Sequence, residues 1–228
     1  MLSLSIHSDM SEIKDIAIYG IGGLGRQTAC LLRRINAQQR QWNLIGFFVD
    51  DVEPGTQTEY GPVLGDMSAL NAWDKPLAVV FAIANPAGVK RLVAAVENPH
   101  IYFPNIIAPD VIFLDSDNTT LGWGNIISSL CLISCNVKLG NFNILNHYIT
   151  VGHDTEAGDF NAIMPGCRLG GNLSIKDGNF IGANAVILEK LSIGNDNKVG
   201  AGAVVIKSIG DRTVSVGVPA KVIKAWDE

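Results

Sequence analysis

A chain of 228 residues is long enough for two modest domains, and a formal net charge of −5 leaves no basic footprint for a nucleic-acid partner. No apolar run reaches the roughly 18 residues needed to span a bilayer. The opening Met1-Leu2-Ser3-Leu4-Ser5-Ile6-His7 lacks the regions of a secretory leader, so a cytoplasmic protein is expected. Cys30, Cys131, Cys135 and Cys167 have neither CxxC spacing nor partner histidines, so neither a metal nor a disulfide is expected.

In chain order, Asp15 to Tyr19 reads as a short apolar strand running into Gly20-Ile21-Gly22-Gly23-Leu24-Gly25-Arg26. Gln27 to Ile35 reads as a helix, with Leu31, Leu32 and Ile35 on one face. Leu44 to Val49 is a second strand ending in Asp50-Asp51, and Leu77 to Ala84 a third, followed by a helix from Ala87 to Val96. Alternating strand and helix predict a small parallel α/β sheet of the Rossmann-like kind, over residues 1–105. The loop fits GxGxxG on Gly20, Gly22 and Gly25, with Gly23 inside it. Such glycines admit a phosphate to a helix N-terminus. Asp50 and Asp51 can accept hydrogen bonds from ribose hydroxyls or a base N–H. Their structural alternative is to start the turn through Glu53-Pro54-Gly55. A unit of about 100 residues is short for a full dinucleotide fold, so a mononucleotide or nucleotide-linked sugar fits better than NAD.

From Leu121 to Val205 an apolar residue recurs every six positions without a slip, and Gly follows it at Gly122, Gly140, Gly152, Gly158, Gly170, Gly182, Gly194 and Gly200. Neither the helix nor the strand period gives that recurrence. Each anchor is expected to point into a shared core and each following Gly to take the tight corner. The pattern resembles the hexapeptide repeat of left-handed parallel β-helices, in which three hexads make one triangular coil. That predicts about five coils in an all-β domain over 106–208, with a tail at 209–228. Cys131 and Cys167 share one hexad position and are expected to fill the core. His147, His153, Asp154 and Arg168 break the monotony of a purely structural solenoid.

A Gly-rich α/β half before a hexapeptide solenoid resembles the nucleotide-amino-sugar N-acetyltransferases of the bacillosamine and perosamine type, and the related sialic acid O-acetyltransferases. The residues that carry the resemblance are the Gly20-to-Arg26 loop, Asp50-Asp51, and Asn146-His147-Tyr148-Ile149-Thr150-Val151-Gly152-His153-Asp154. Gly158-Asp159-Phe160-Asn161 and Gly217-Val218-Pro219-Ala220-Lys221 complete them.

The resemblance implies an acetyl-CoA-dependent enzyme of bacterial surface-glycan synthesis, without a metal, assembled as a homotrimer with sites between solenoids. It makes His153 the general base, and Asp154 could orient the imidazole. His147, one hexad earlier at the same phase, remains the alternative base. It gives Asn146 a substrate contact, with a turn residue of positive φ as the alternative. It gives acetyl-CoA contacts to Asn161, Ala162, Gly171, Gly182, Ala183, Ala201, Gly202, Pro219 and Lys221, with Lys221 pairing a phosphate. Ala162 stands where many members carry a second histidine. The competing readings are an O-acetyltransferase acting on sialic acid or another sugar, and a non-catalytic trimer that binds a nucleotide sugar.

Overall fold

A computed structural model describes residues 13–226, so the opening segment read above for a leader lies outside the described residues. The first unit is a sheet in the order β3-β4-β2-β1-β5-β6. Its strands are β1 (Lys14–Tyr19), β2 (Trp42–Phe48), β3 (Gln57–Thr58), β4 (Gly61–Gly65), β5 (Leu77–Phe81) and β6 (Ile101–Tyr102). Only the β3–β4 pair is antiparallel. Helix α1 (Gly23–Gln38) packs on one face, and α2 (Met67–Asn71) and α3 (Pro86–Ala95) on the other.

Three boundaries differ from expectation. Helix α1 starts at Gly23 rather than Gln27, because Gly22 adopts extended geometry as its N-cap and the glycines after it still fit a helical turn. Strand β5 stops at Phe81, since Asn85 turns the chain to cap α3 and accepts from Gly88 N. The β3–β4 hairpin, α2 and β6 give no sequence signal: the pieces are two to five residues long, and Gly61-Pro62 and Gly65 read as loop.

The second unit is the triangular left-handed parallel β-helix. Its strands are two residues long and lie on three faces. Face 1 holds Ile106–Ile107, Ile126–Ile127, Ile144–Leu145, Ala162–Ile163, Phe180–Ile181 and Lys198–Val199, and is extended by Thr213–Val216 and an antiparallel Lys221–Ala225. Face 2 runs from Ile112–Phe113 to Val204–Val205, and face 3 from Thr120–Leu121 to Ser192–Ile193. The repeat therefore begins two strands before Leu121, which closes the first coil. It is masked in the sequence because Phe113 and Leu121 are eight apart, the extra residues forming a loop that Asp115 closes through Asn118 and Thr119. The anchors fill one continuous core, with Cys131 and Cys167 buried in it. The tail is part of the stack, since Thr213–Val216 pairs with Lys198–Val199.

The glycines behind the anchors do not take the corners. Left-handed φ falls three residues after an anchor, at Leu130, Asn136, Phe142, Tyr148, Asp154, Phe160, Asn172, Asn184, Lys190 and Asp196, and at four glycines. At most of these corners the N–H donates to the coil below, as from Phe142 to Trp123 O and from Asp154 to Cys135 O, which offsets the strain of the conformation. The glycine behind the anchor answers a different need, close coil stacking. A Cβ on Gly140 would sit 2.2 Å from Asp159 Oδ1 and 2.7 Å from Gly158 O.

At the corner between faces 3 and 1 a buried ladder of Asn125, Asn143, Asn161, Asn179 and Asn197 runs up the solenoid. The side-chain oxygen of each of the first four accepts from the backbone N–H of the next, at 2.8–3.0 Å. Asn105 closes the bottom and Thr213 the top. Donor-contact roles for Asn161 and Ala162 do not survive this geometry. Each is 1% exposed, Asn161 in the ladder and Ala162 on face 1 under the α/β unit.

That unit docks on the lower part of face 1. Ile106, Ile126 and Ile144 pack with Ile16, Ile18, Leu32 and Ile35, and an aromatic chain runs Phe81–Phe103–Phe142–Phe160. Arg34 on α1 pairs with Asp110 at 3.1 Å. No helix among the described residues is long and apolar enough to cross a membrane.

If stacking rather than turning explains the glycines, Gly140→Ala should destabilise the fold by about 1–3 kcal/mol. That is about 2–4 °C of melting temperature for each kcal/mol, and calorimetry reads it; an unchanged melting temperature would refute the stacking account.

Candidate active site

Two arrangements of side chains carry chemistry. The first is the glycine loop, which β1 delivers to the start of α1. Gly20 has φ +108°, and a Cβ on Gly25 would lie 2.0 Å from Gly20 O, so these two serve the close strand-to-helix turn. Gly22 and Gly23 have no atom within 4 Å of a Cβ position and face open space. Gly22 offers α1 no side-chain cap, so the positive end of the helix is left for an anion.

Asp50 follows β2, beside β1 in the sheet, and accepts a hydrogen bond from the Tyr19 phenol. Burial first, then Asp50, raises the Tyr19 pKa, so the phenol keeps its proton and orients the carboxylate. Asp51 is exposed next to it. A cleft of about 400 Å³ runs from Gly23 along α1 past Arg26 and Tyr60, and Ser129 and His147 form its solenoid wall.

The second arrangement is at the corner between faces 2 and 3. His153 and Asp154 project there, their side chains 65% and 49% exposed. His153 Nδ1 lies 2.8 Å from Asp154 Oδ2. Asn136, one coil below, donates to Asp154 Oδ1 at 2.7 Å. These bonds, Asn136 first, hold the Asp154 carboxyl below the usual carboxylate range. With the proton of a neutral imidazole on Nδ1, facing the carboxylate, Nε2 is left as a free acceptor. The ring lies against Gly171: a Cβ there would be 2.7 Å from Nε2. Sequence reasoning missed Asn136. Its signal was the spacing of 18 residues to Asp154, one full coil.

The remaining expected contacts divide between edges. Gly182, Ala183, Ala201 and Gly202 stack at the corner between faces 1 and 2, where Gly202 N donates to Ala183 O at 2.8 Å. The tail folds over the same edge: Ala220 N bonds Val204 O, and Pro219 and Lys221 are exposed beside it. Asn146 belongs to this corner lower down. It is 7% exposed, its side-chain oxygen accepts from His147 N at 2.9 Å, and its φ is not positive. Gly171 is alone with His153 on the far edge. One chain therefore brings His153, Asp154 and Gly171 together and leaves the glycine loop, His147, Ala183, Ala201 and Lys221 one face away.

Among known proteins, residues 15–96 match the family described as the PglD N-terminal domain, and residues 172–207 the bacterial transferase hexapeptide repeats. No curated protein matches the chain significantly. WeeI from Acinetobacter baumannii AYE is 30% identical, with a TM-score of 0.82, over 92% of this chain and 100% of that one. The acetyltransferase domain of PglB from Neisseria gonorrhoeae FA1090, solved with acetyl coenzyme A, is 27% identical, with a TM-score of 0.81, over 93% and 100%. A GDP-perosamine N-acetyl transferase from Caulobacter crescentus, solved with CoA and GDP-perosamine, is 24% identical, with a TM-score of 0.79, over 93% and 98%, and shares the fold.

Because Asn136 is the larger cause of the depressed Asp154 pKa, Asn136→Ala should move that carboxyl titration upward. Carboxyl-carbon NMR of the two proteins reads the shift, and coincident titrations would remove Asn136 from the site.

Proposed function

Since this chain belongs to the hexapeptide-repeat transferases that carry a PglD N-terminal domain, we propose that it transfers the acetyl group of acetyl-CoA to the amino group of a nucleotide-linked sugar, in the synthesis of bacterial surface glycans. The observation that carries this reading is the Asn136–Asp154–His153 chain, which engages His153 Nδ1 and leaves Nε2 facing Gly171 at the open edge of a solenoid face.

The amine nitrogen attacks the thioester carbon, and His153 Nε2 takes the proton the nitrogen sheds as the new C–N bond forms. Asp154 stabilises the resulting imidazolium. As the tetrahedral carbon collapses, the C–S bond breaks and the imidazolium proton goes to the departing thiolate. No acyl-enzyme is required. Cys131 and Cys167 are buried in the core, and burial pushes both thiols up, Cys131 to about 11, away from nucleophilic thiolate.

The sugar nucleotide is assigned to the glycine loop, its phosphates at the N-terminus of α1 and its base or ribose at Asp50 and Asp51. The cleft leading from Gly23 to His147 supports this placement. The donor is assigned to a groove between solenoids, with Ala183, Ala201, Gly202, Pro219 and Lys221 on one wall and Gly171 on the other. Two chains are needed to bring those walls together, which supports the homotrimer. Face 2 is suited to be the joint. Its outward row of Ile112, Leu132, Thr150, Arg168, Val186 and Val204 is mainly apolar, and Ile112 is 54% exposed. Face 3 shows water Thr120, Lys138, Glu156, Ser174 and Ser192.

Free thiol released from acetyl-CoA with UDP- and GDP-linked 4-amino sugars should fall by about 10²–10⁴-fold in His153→Ala. Release with free sialic acid alone would move the acceptor to a hydroxyl, and undiminished release in the variant would place the base elsewhere, with His147 next. A shared site adds a second expectation. His153→Ala and Gly23→Asp chains, each inactive alone, should regain part of the activity when co-assembled; no recovery would confine the site to one chain.

A further inference from the structure

The outward row of face 1 is Ile106, Ile126, Ile144, Ala162, Phe180 and Lys198. The α/β unit buries the first four, while Phe180 is half-buried and Lys198 exposed. The stack thus rises beyond the unit docked on it, and a wedge opens between α3 and the upper coils. This wedge is a cleft of about 720 Å³, bounded on its open side by Trp226 at the end of the tail. Its volume falls in the range of small-molecule sites, about 300–1,000 Å³.

The walls are not neutral. Lys90 and Arg91 come from α3, Lys198 and Arg212 from the solenoid, and Asp196 is the one carboxylate among the described lining residues. Among the described lining residues, Lys90, Arg91 and Lys198 outnumber the single carboxylate, a local positive excess on a chain of net charge −5. The aromatic component adjoins the charge. Lys198 Nζ lies 5.8 Å from the Trp226 ring centre, and Phe180 is a second aromatic wall. A flat apolar plate beside paired cations fits one ligand chemistry, a planar heterocycle carrying phosphates. Asp196 supplies an acceptor for a ribose hydroxyl or a ring amino group.

We propose that this cleft is a second ligand site, for a nucleoside phosphate, on the α3 side of the domain and separate from the glycine loop. Ring stacking falls to Trp226, and phosphate binding to Lys90 and Arg91 with Lys198 opposite. The assignment rests on the cleft alone and stands whether or not the glycine loop holds the sugar nucleotide.

Titration calorimetry of the full chain with ADP, UDP and GDP, and with inorganic pyrophosphate, tests it. Gly23→Asp, which blocks the glycine loop, should still bind one nucleotide per chain. In that background Arg91→Glu should weaken the remaining binding by about tenfold or more, and Trp226→Ala by several-fold. Circular dichroism melting of each variant checks that the fold is intact. Three results overturn the proposal: no nucleotide bound by Gly23→Asp, binding there that Arg91→Glu or Trp226→Ala leaves unchanged, or pyrophosphate binding as tightly as the best nucleotide.

Discussion

The stacking of one coil on the next, at the strand spacing of about 4.8 Å, governs the rest of this molecule. A coil of 18 residues places every eighteenth residue directly above its predecessor, as the pairs Ile144–Ala162 and Thr150–Arg168 record. Sequence distance thereby becomes vertical distance, and each position in the hexad becomes a column. The anchor column is the core, the column behind it must be small enough for backbones to meet, and the third column bends the chain in the left-handed region. The asparagine ladder obeys the same constraint. Buried side-chain oxygens there satisfy backbone N–H groups that a corner would otherwise leave without partners.

The proposed catalytic chemistry would be one of these columns put to use. Asn136 and Asp154 succeed one another at a single corner, as do His153 and Gly171, so the carboxylate is held from the coil below and the imidazole lies on bare backbone above. Nothing inside the solenoid needs to move to make this arrangement. A rigid stack also has a geometric cost, because it presents its functional edges one face apart and cannot fold one edge onto the other. A site that uses both edges must recruit a second chain, and the apolar outward row of face 2 lies between the two edges.

The α/β unit breaks the symmetry of the prism. Isoleucines of face 1 join its core, and the Phe81–Phe103–Phe142–Phe160 chain seals the contact at a corner. Covering one face leaves two unlike clefts on either side of the domain. The one along α1 begins at an open helix N-terminus and ends at His147; the one along α3 is basic and aromatic. The two differ because α1 and α3 lie on opposite faces of the sheet, which follows from the order of β1, β2 and β5.

The sequence by itself determined the period, and with it the solenoid, the core anchors, the glycine loop between strand and helix, and the exposed position of His153. All of these are local patterns that recur or sit at a fixed offset from an anchor. Only the tertiary structure decided what a residue meets one coil away. It moved the corners from Gly140 and its equivalents to residues such as Phe142 and Asp154, and took Asn161 and Ala162 out of the donor site. It joined Asn136 to Asp154 and hid the first coil behind a two-residue insertion. The physical reason is that a period states which residues share a column, while exposure and partnership depend on the neighbouring coil and on which face the α/β unit covers. Neither is written in any single hexad.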